Sequence, residues 1–249
     1  MRAITILSHN AFWFQGAPFP TDTPPGPDIQ IVKRLCAIYR RANPNVICLQ
    51  EIQSQEAFAL VCEHLEMQGC YCPGGQLPQY GGAVFWQGDR GLQILDSHTS
   101  GADTQRMWQI LEVNGTNSRR RICNIHLPSG RQLGHEQAAA RRLAELEESI
   151  RSCQTQPEVI VGDFNEQPNG PASKCVEGHG YVDSAVLSDC ADIATNINGG
   201  RGDYIWISSQ IDGRLVNYGA AQKKELVWIN AGKKYLSDHF PLWIAVEDR

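Results

Sequence analysis

A chain of 249 residues, 42% hydrophobic and 20% charged, is long enough to bury a large core and has an ordinary globular composition. A net charge of −5 and a pI near 5.8 exclude a protein that coats nucleic acid by bulk electrostatics, but not an enzyme whose carboxylates hold a cation. Nine cysteines without framework spacing read as reduced thiols of a cytoplasmic protein; no signal peptide is apparent in MRAITILSHN, and no apolar run reaches membrane length.

Residues 3–8 predict a strand ending at His9 and Asn10, followed by a Pro/Gly-rich loop over 16–27. Asp28 is placed to cap a helix running to about Arg41, with Ile31, Leu35 and Ile38 on its apolar face and Pro44 beyond it. Residues 46–49 form a second strand that ends in Gln50 and Glu51. A helix follows over 54–67, then a glycine-punctuated loop over 69–82. Strands are expected at 83–86 and 92–97, and a hairpin at 108–113 and 121–127 across Asn114-Gly115. The helix at 134–152, with Ala138, Leu143, Leu146 and Ile150 inward, leads to a buried strand at 159–161. After a loop at 167–171, strands are expected at 204–208, 215–218, 225–229 and 240–246. No repeat or long linker divides the chain, so residues 1–249 read as one domain.

Polar residues gather where these strands stop. Asn10, Glu51, His126, Asp163 with Asn165, and Asp238 with His239 each sit at or beside the edge of an apolar strand, and Asp203 sits just before one. One such residue is ordinarily a turn former. So many, carrying carboxylate, amide and imidazole, point to a shared pocket if the strands share one sheet edge. Oxygen donors of this kind suit Mg²⁺ or Mn²⁺ rather than zinc. A hard cation beside a His–Asp pair matches what phosphodiester hydrolysis requires: a neutralised phosphate, an activated water and a stabilised leaving oxygen.

The ordered segments H-N-A-F, L-Q-E-I, N-I-H-L, G-D-F-N-E-Q-P, G-D-Y-I-W and S-D-H-F-P-L resemble the endonuclease/exonuclease/phosphatase superfamily, from Asn10 to Leu242. The resemblance implies a four-layer α/β sandwich of the DNase I-like kind, two packed sheets flanked by helices. It implies Glu51 as principal metal ligand, helped by Asn10 and Asp238. Asp163 would orient or deprotonate the attacking water, and Asn165 would hold the water or a phosphate oxygen. His239, paired with Asp203, would contact the phosphate or move a proton, and His126 would be a second phosphate contact. Y-G-G-A-V-F-W and H-L-P-S-G are most similar to the nocturnin-like and deadenylase branch, whereas Gly202-Asp203-Tyr204-Ile205 departs from the inositol-phosphatase pattern. Phe12 stands where abasic-site endonucleases usually carry an acidic residue. The implied activity is a Mg²⁺-dependent phosphodiesterase on nucleic acid or nucleotides, with a 3′-exonuclease as one form. The alternatives are a phosphatase or phosphodiesterase acting on a small molecule or lipid headgroup, and a non-catalytic binding protein on the same fold.

Substrate signals are sparser. Phe12, Trp13, Phe14 and Phe19 either stack on a base or pack their loop onto the core. Arg119–Arg121, Lys223-Lys224 and Lys233-Lys234 either meet an anionic backbone or are solvated turns. Cys62, His64, Cys70 and Cys72 have the composition of a zinc cluster without its spacing. His9, His64, His98, His135 and His179 have no partner pattern and read as surface or capping residues.

Overall fold

The architecture follows from period-two alternation in strands buried on both faces. In β2 (Val46–Ile52), Val46 and Cys48 face one apolar cluster while Ile47 and Leu49 face another. The computed structural model describes residues 3–88, 93–114, 119–153 and 155–247. One sheet contains β1 (Ala3–Asn10), β2, β3 (Gln68–Cys72), β4 (Gly81–Trp86), β11 (Leu215–Ala220) and β14 (Leu242–Glu247), in the order β11-β14-β1-β2-β4-β3. The other contains β5 (Gln93–Thr99), β6 (Met107–Asn114), β7 (Arg119–His126), β8 (Val159–Asp163), β9 (Tyr181–Asp183) and β10 (Asp203–Ser208), in the order β5-β6-β7-β8-β10-β9. A separate ribbon pairs β12 (Val227–Asn230) with β13 (Lys233–Tyr235).

Three apolar layers hold the sheets and helices together. Ile4, Ile6, Val46, Cys48, Val84 and Ile244 of the first sheet meet Leu111, Ile122, Val159, Val161 and Ile205 of the second. Outside the first sheet, Leu7, Ile47, Leu49 and Phe85 pack on α1 (Ile29–Arg41) and α2 (Gln55–Leu65). Outside the second, Ile110, Cys123, Ile125 and Ile160 pack on α4 (His135–Arg151) and α5 (Pro171–Gly178). Helices, sheet, sheet and helices make the expected four-layer α/β sandwich. The helices begin on local signals: Asp28 accepts from Gln30 N at 2.8 Å, and Ser54 accepts from Ala57 N at 3.2 Å.

Two parallel pairs decide where chemistry can gather. β1 pairs parallel with β2 across α1, and β7 pairs parallel with β8 across α4. Their C-terminal ends share one end of the sandwich. β10 runs antiparallel to β8, so its first residue, Asp203, lies opposite Asp163 at that same end. Beneath it a polar stitch joins the sheets: Gln50 Nε2 donates to Asn124 Oδ1 at 2.7 Å, and Asn124 Nδ2 to Leu49 O at 3.0 Å.

Several boundaries depart from the sequence reading. The supposed loop over 69–82 contains the edge strand β3 and the start of β4. Glycine and cysteine give β3 little strand propensity, but tertiary packing overrides it. At Gly69 an added Cβ would lie 2.9 Å from the Phe58 and Phe85 rings, so the close approach of these rings selects glycine. The expected strand at 225–229 begins instead as a 3₁₀ turn over Lys223–Leu226, closed by a reciprocal Gln222–Glu225 cap. β2 runs on through Glu51 to Ile52. Short elements without strong periodicity were missed: α3 (Gly130–Leu133), α5, β9 and α6 (Ser184–Leu187). Leu92 and the turn after Asn114 lie outside the described residues. All nine cysteines are free thiols, and among the described residues no helix is long and apolar enough to cross a membrane.

Candidate active site

Every predicted site residue stands at this one end. Asn10 closes β1, His126 closes β7, Asp163 closes β8 and Asp203 opens β10. Glu51 reaches the group through a bulge. Gln50 pairs with Gly82 and Ile52 with Gly81, so Glu51 is the extra residue. Its φ of +56° is costly for a residue with a side chain, about 1–3 kcal/mol, and turns the carboxylate away from the ladder. Asp238 and His239 come from the loop before β14. Ser237 fixes that loop by donating Oγ to Asn10 O at 2.8 Å while accepting from His239 N at 3.1 Å.

Asn10 bridges the two sheets. Its Nδ2 donates to Glu51 Oε1 at 3.2 Å and to Asp163 Oδ2 at 3.1 Å, while its Oδ1 accepts from Phe12 N at 3.0 Å. In this orientation Asn10 offers hydrogens to the carboxylates rather than a lone pair to a cation. Asp163 Oδ2 also lies 3.4 Å from His126 Nε2 and 3.9 Å from His239 Nε2. Its other oxygen accepts from Asn165 N at 2.8 Å, and Asn165 Nδ2 donates to Leu127 O at 3.0 Å. His239 Nδ1 meets Asp203 at 2.8 and 2.9 Å, and Thr195 Oγ1 donates to Asp203 Oδ2 at 2.7 Å.

Burial and neighbouring charge set the protonation states. Burial raises Asp163, but His239, His126 and Arg106 outweigh it and hold the carboxyl well below its usual range. Burial lowers His239, but Asp203, Asp238 and Asp163 outweigh it and keep the ring an imidazolium well above the ordinary value. Burial, with Arg106 nearby, drops His126 to about 3, so this ring is neutral. Burial raises Glu51 to about 7 against the pull of Arg106, and raises Asp238. Oxygens of Asp163 and Asp203 and a ring nitrogen of His239 lie within 4.8 Å of one another, but the imidazolium has no lone pair to give a metal ion, so this cluster is an ion-paired triad.

The structure adds residues for which the sequence held no clear signal. Arg106, preceding β6, is buried; its guanidinium contacts His126 Nε2, lies 4.3 Å above the Tyr80 ring and leaves Nε without a hydrogen-bond partner. Nothing in T-Q-R-M-W distinguishes it from a surface arginine. His9, expected at the surface, is buried between Tyr39 Oη at 2.7 Å and His239 O at 3.0 Å, and burial lowers it to about 3. It faces away from the cleft and braces the His239 loop from behind.

Of the loop aromatics, Trp13 and Phe14 are buried, whereas Phe12 and Phe19 are half-buried and line the cleft with Trp13 and Tyr80. Arg119 and Arg121 lie at the opposite end of β7 and engage Glu112. Lys223 Nζ donates to Ile197 O, and Lys233 Nζ to Pro18 O, 4.5 Å from the Phe19 ring centre. None of these cations lines the cleft.

The same fold recurs in solved structures of low sequence identity. The structure of D. rerio TDP2 complexed with single strand DNA product superposes with a TM-score of 0.72 at 15% identity, covering 99% of each chain. The mannosyl-6-phosphatase of Bacteroides thetaiotaomicron gives 0.74 at 15% identity, covering 98% of this chain and 100% of that one. A functionally unknown protein of Enterococcus faecalis gives 0.71 at 16%, covering 99% and 100%. No curated protein sequence matches the chain. The pattern of the Endonuclease/Exonuclease/phosphatase family matches residues 30–239, from Gln30 in α1 through the His239 that closes the site. The chain therefore belongs to this family of hydrolases acting on phosphoester bonds, and its fold is DNase I-like.

Proposed function

We propose that the protein is a Mg²⁺- or Mn²⁺-dependent phosphodiesterase acting on a nucleotide or the end of a nucleic-acid strand, with 3′-exonuclease action as the leading form. The observation that carries this reading is the position of Asp163. It sits among Asn10, His126 and His239 at the floor of a cleft walled by Phe12, Phe19 and Tyr80. A base has a flat face to stack on that wall while its phosphate reaches the charged floor.

The residues fit a hard cation. Glu51 Oε2 and Asp238 Oδ1 are buried oxygens without a hydrogen-bond partner, and both side chains line the cleft. These two would hold the ion, with Asn10 fixing the other Glu51 oxygen. Bound there, the ion would neutralise phosphate charge and acidify water. Asp163, kept anionic by its neighbours, accepts a hydrogen bond from the attacking water and aligns it. The His239 imidazolium, anchored through Nδ1 on Asp203, presents Nε2 to a phosphate oxygen. Asn165 is placed to hold the water or a second phosphate oxygen. Arg106 and neutral His126 supply a fixed positive charge and a dipole behind the reacting group.

The cationic side chains lining the cleft are Arg106, Arg131 and Arg142, with no lysine and none of Arg119–Arg121; so compact a set supports a short substrate or a strand end over a long tracked duplex. The same observation favours a second reading, a phosphatase on a small phosphorylated molecule; the Bacteroides neighbour is a mannosyl-6-phosphatase. The whole chain would work as one domain, and its free thiols support a reducing compartment such as the cytoplasm.

A hydrolysis panel with Mg²⁺ and Mn²⁺ tests the proposal, using Asp163→Ala as blank. Single-stranded RNA and DNA, 3′-adenylated RNA, dinucleotides, inositol phosphates, sugar phosphates and sphingomyelin are compared. Stepwise cleavage from one strand end is the expected result. Phosphate released from small molecules, with oligonucleotides untouched, selects the phosphatase. Glu51→Ala, Asp163→Ala and His239→Ala should each stay folded and lose at least about 10²-fold in turnover. EDTA should abolish hydrolysis without unfolding the chain, and near wild-type rates in EDTA would refute the cation.

A further inference from the structure

Away from the cleft, the facing sides of α4 and α5 bring a carboxylate, a thiol and an imidazole together. Cys175 in α5 and its cap residue His179 are four positions apart, so both side chains lie on one face. Glu147, near the end of α4, reaches across to them. Its Oε1 lies 3.0 Å from His179 Nε2 and 3.3 Å from Cys175 Sγ, and the three ligand atoms fall within 4.8 Å of one another.

We propose that Glu147, Cys175 and His179 form a second metal site, selective for zinc over magnesium, that clamps α4 to α5. Zinc bonds of about 2.0–2.3 Å in a tetrahedral array separate neighbouring ligand atoms by roughly 3.3–3.8 Å; the two separations from Glu147 Oε1, 3.0 and 3.3 Å, fall a few tenths of an ångström short of this, and Cys175 Sγ and His179 Nε2 lie within 4.8 Å of each other. The donor set is sulfur, nitrogen and oxygen, softer than the oxygen-rich cleft, and so belongs to a different class of ion. All three side chains are half-buried, which leaves solvent to complete the shell. Arg151 Nη2 holds Glu147 Oε2 at 2.6 Å, so the carboxylate offers one oxygen. The Gln156 amide lies 3.4 Å from His179 Nδ1. Turned about its last bond, it accepts an Nδ1 proton and frees Nε2 to ligate. Binding replaces the Cys175 S–H bond with a metal–sulfur bond, releases that proton to solvent and leaves every oxidation state unchanged.

None of the three residues lines the cleft. The clamp nevertheless braces a helix whose other end is fastened beside the cleft, because Glu166 Oε2 accepts from Ala172 N at 2.7 Å and from Ser173 N at 3.2 Å. The ion would therefore stiffen the segment that follows Asn165.

Cobalt is the probe, added to the full chain in excess Mg²⁺. One equivalent of Co²⁺ should produce a thiolate-to-cobalt charge-transfer band, which the cleft cannot give because no cysteine lines it. The band should vanish in Cys175→Ser and in His179→Ala, survive in Asp163→Asn and be displaced by Zn²⁺. Zinc at a hundredfold excess over Kd should raise Tm by roughly 5 °C in the wild type and leave Cys175→Ser unmoved. Circular dichroism establishes that each variant is folded. A wild type without the band, or a band that persists in both folded variants, overturns the proposal.

Discussion

Gly162 is the residue on which the position of Asp163 most directly depends. It lies within β8 opposite Ile125 of β7 and Tyr204 of β10, one residue before the carboxylate, with a φ of +140°. A Cβ built there would run into the backbone carbonyl oxygen of Ile125, which no rotamer change relieves. Gly162→Ala therefore carries a backbone cost of about 1–3 kcal/mol for the disallowed dihedral. Overpacking adds about 1–3 kcal/mol more as β8 moves off β7. A total of roughly 2–6 kcal/mol is a large part of the 5–15 kcal/mol that ordinarily holds a domain together. Displacing Asp163 by about 1 Å should also cost roughly 10²-fold in rate among the molecules that remain folded. Urea melts followed by circular dichroism read the first effect, and turnover at a temperature where both proteins are folded reads the second. Gly202→Ala is the stability control, since its Cβ meets only Asp163 Oδ1 at an ordinary 3.7 Å. An unshifted Gly162→Ala midpoint with full activity would refute the reasoning.

The stitch between the sheets should show the asymmetry of buried polar pairs. Asn124→Leu removes the nearest acceptor of the Gln50 amide, leaving it only Ser8 Oγ and Cys48 O at 3.3 Å, and should cost about 1–3 kcal/mol, whereas Gln50→Leu with Asn124→Leu should recover part of that loss, measured as a double-mutant cycle. Asp203→Asn should lower kcat by roughly 10²–10⁴-fold with little change in KM, because it removes the charge that orients and ionises His239; a larger effect on KM would make Asp203 a binding residue. Arg106→Lys keeps a charge but loses the planar fork against Tyr80 and His126, and should reduce kcat/KM by about 10–100-fold with Tm nearly unchanged. An equal loss in Tm and activity would make its role structural.

The site was legible where its residues end apolar strands. Val159–Val161 followed by Gly-Asp-Phe-Asn announces a carboxylate and an amide at a sheet edge, and S-D-H before Phe240 does the same from a loop. The placement of α1 and α4 followed from periodicity in residues 29–41 and 135–151, while the parallel pairing of β1 with β2 appeared only in the fold. What escaped was whatever depends on contacts distant in sequence. Arg106 becomes part of the site only when β6 brings it over Tyr80, and His9 is buried only because Tyr39 and the His239 loop close over it. The Glu51 bulge left no trace, since an extra strand residue looks like any other until its partner is known. β3 was lost because Phe58 and Phe85, rather than strand propensity, hold Gly69 in place.

The polar stitch lies beneath a site that neither sheet completes alone. Asn10 and Glu51 belong to the first sheet, while His126, Asp163 and Asp203 belong to the second. The second sheet occupies one uninterrupted stretch of chain, bracketed by strands of the first. The consequence is temporal. As the polypeptide leaves the ribosome, β1 waits for β14, its antiparallel partner through Ile4 and Val246, and the Asp238–His239 loop settles only when that seam closes. Such distant pairing is slow to form. Asp238 and His239 can therefore join Asn10, Glu51, His126, Asp163 and Asp203 only once β14 has paired with β1.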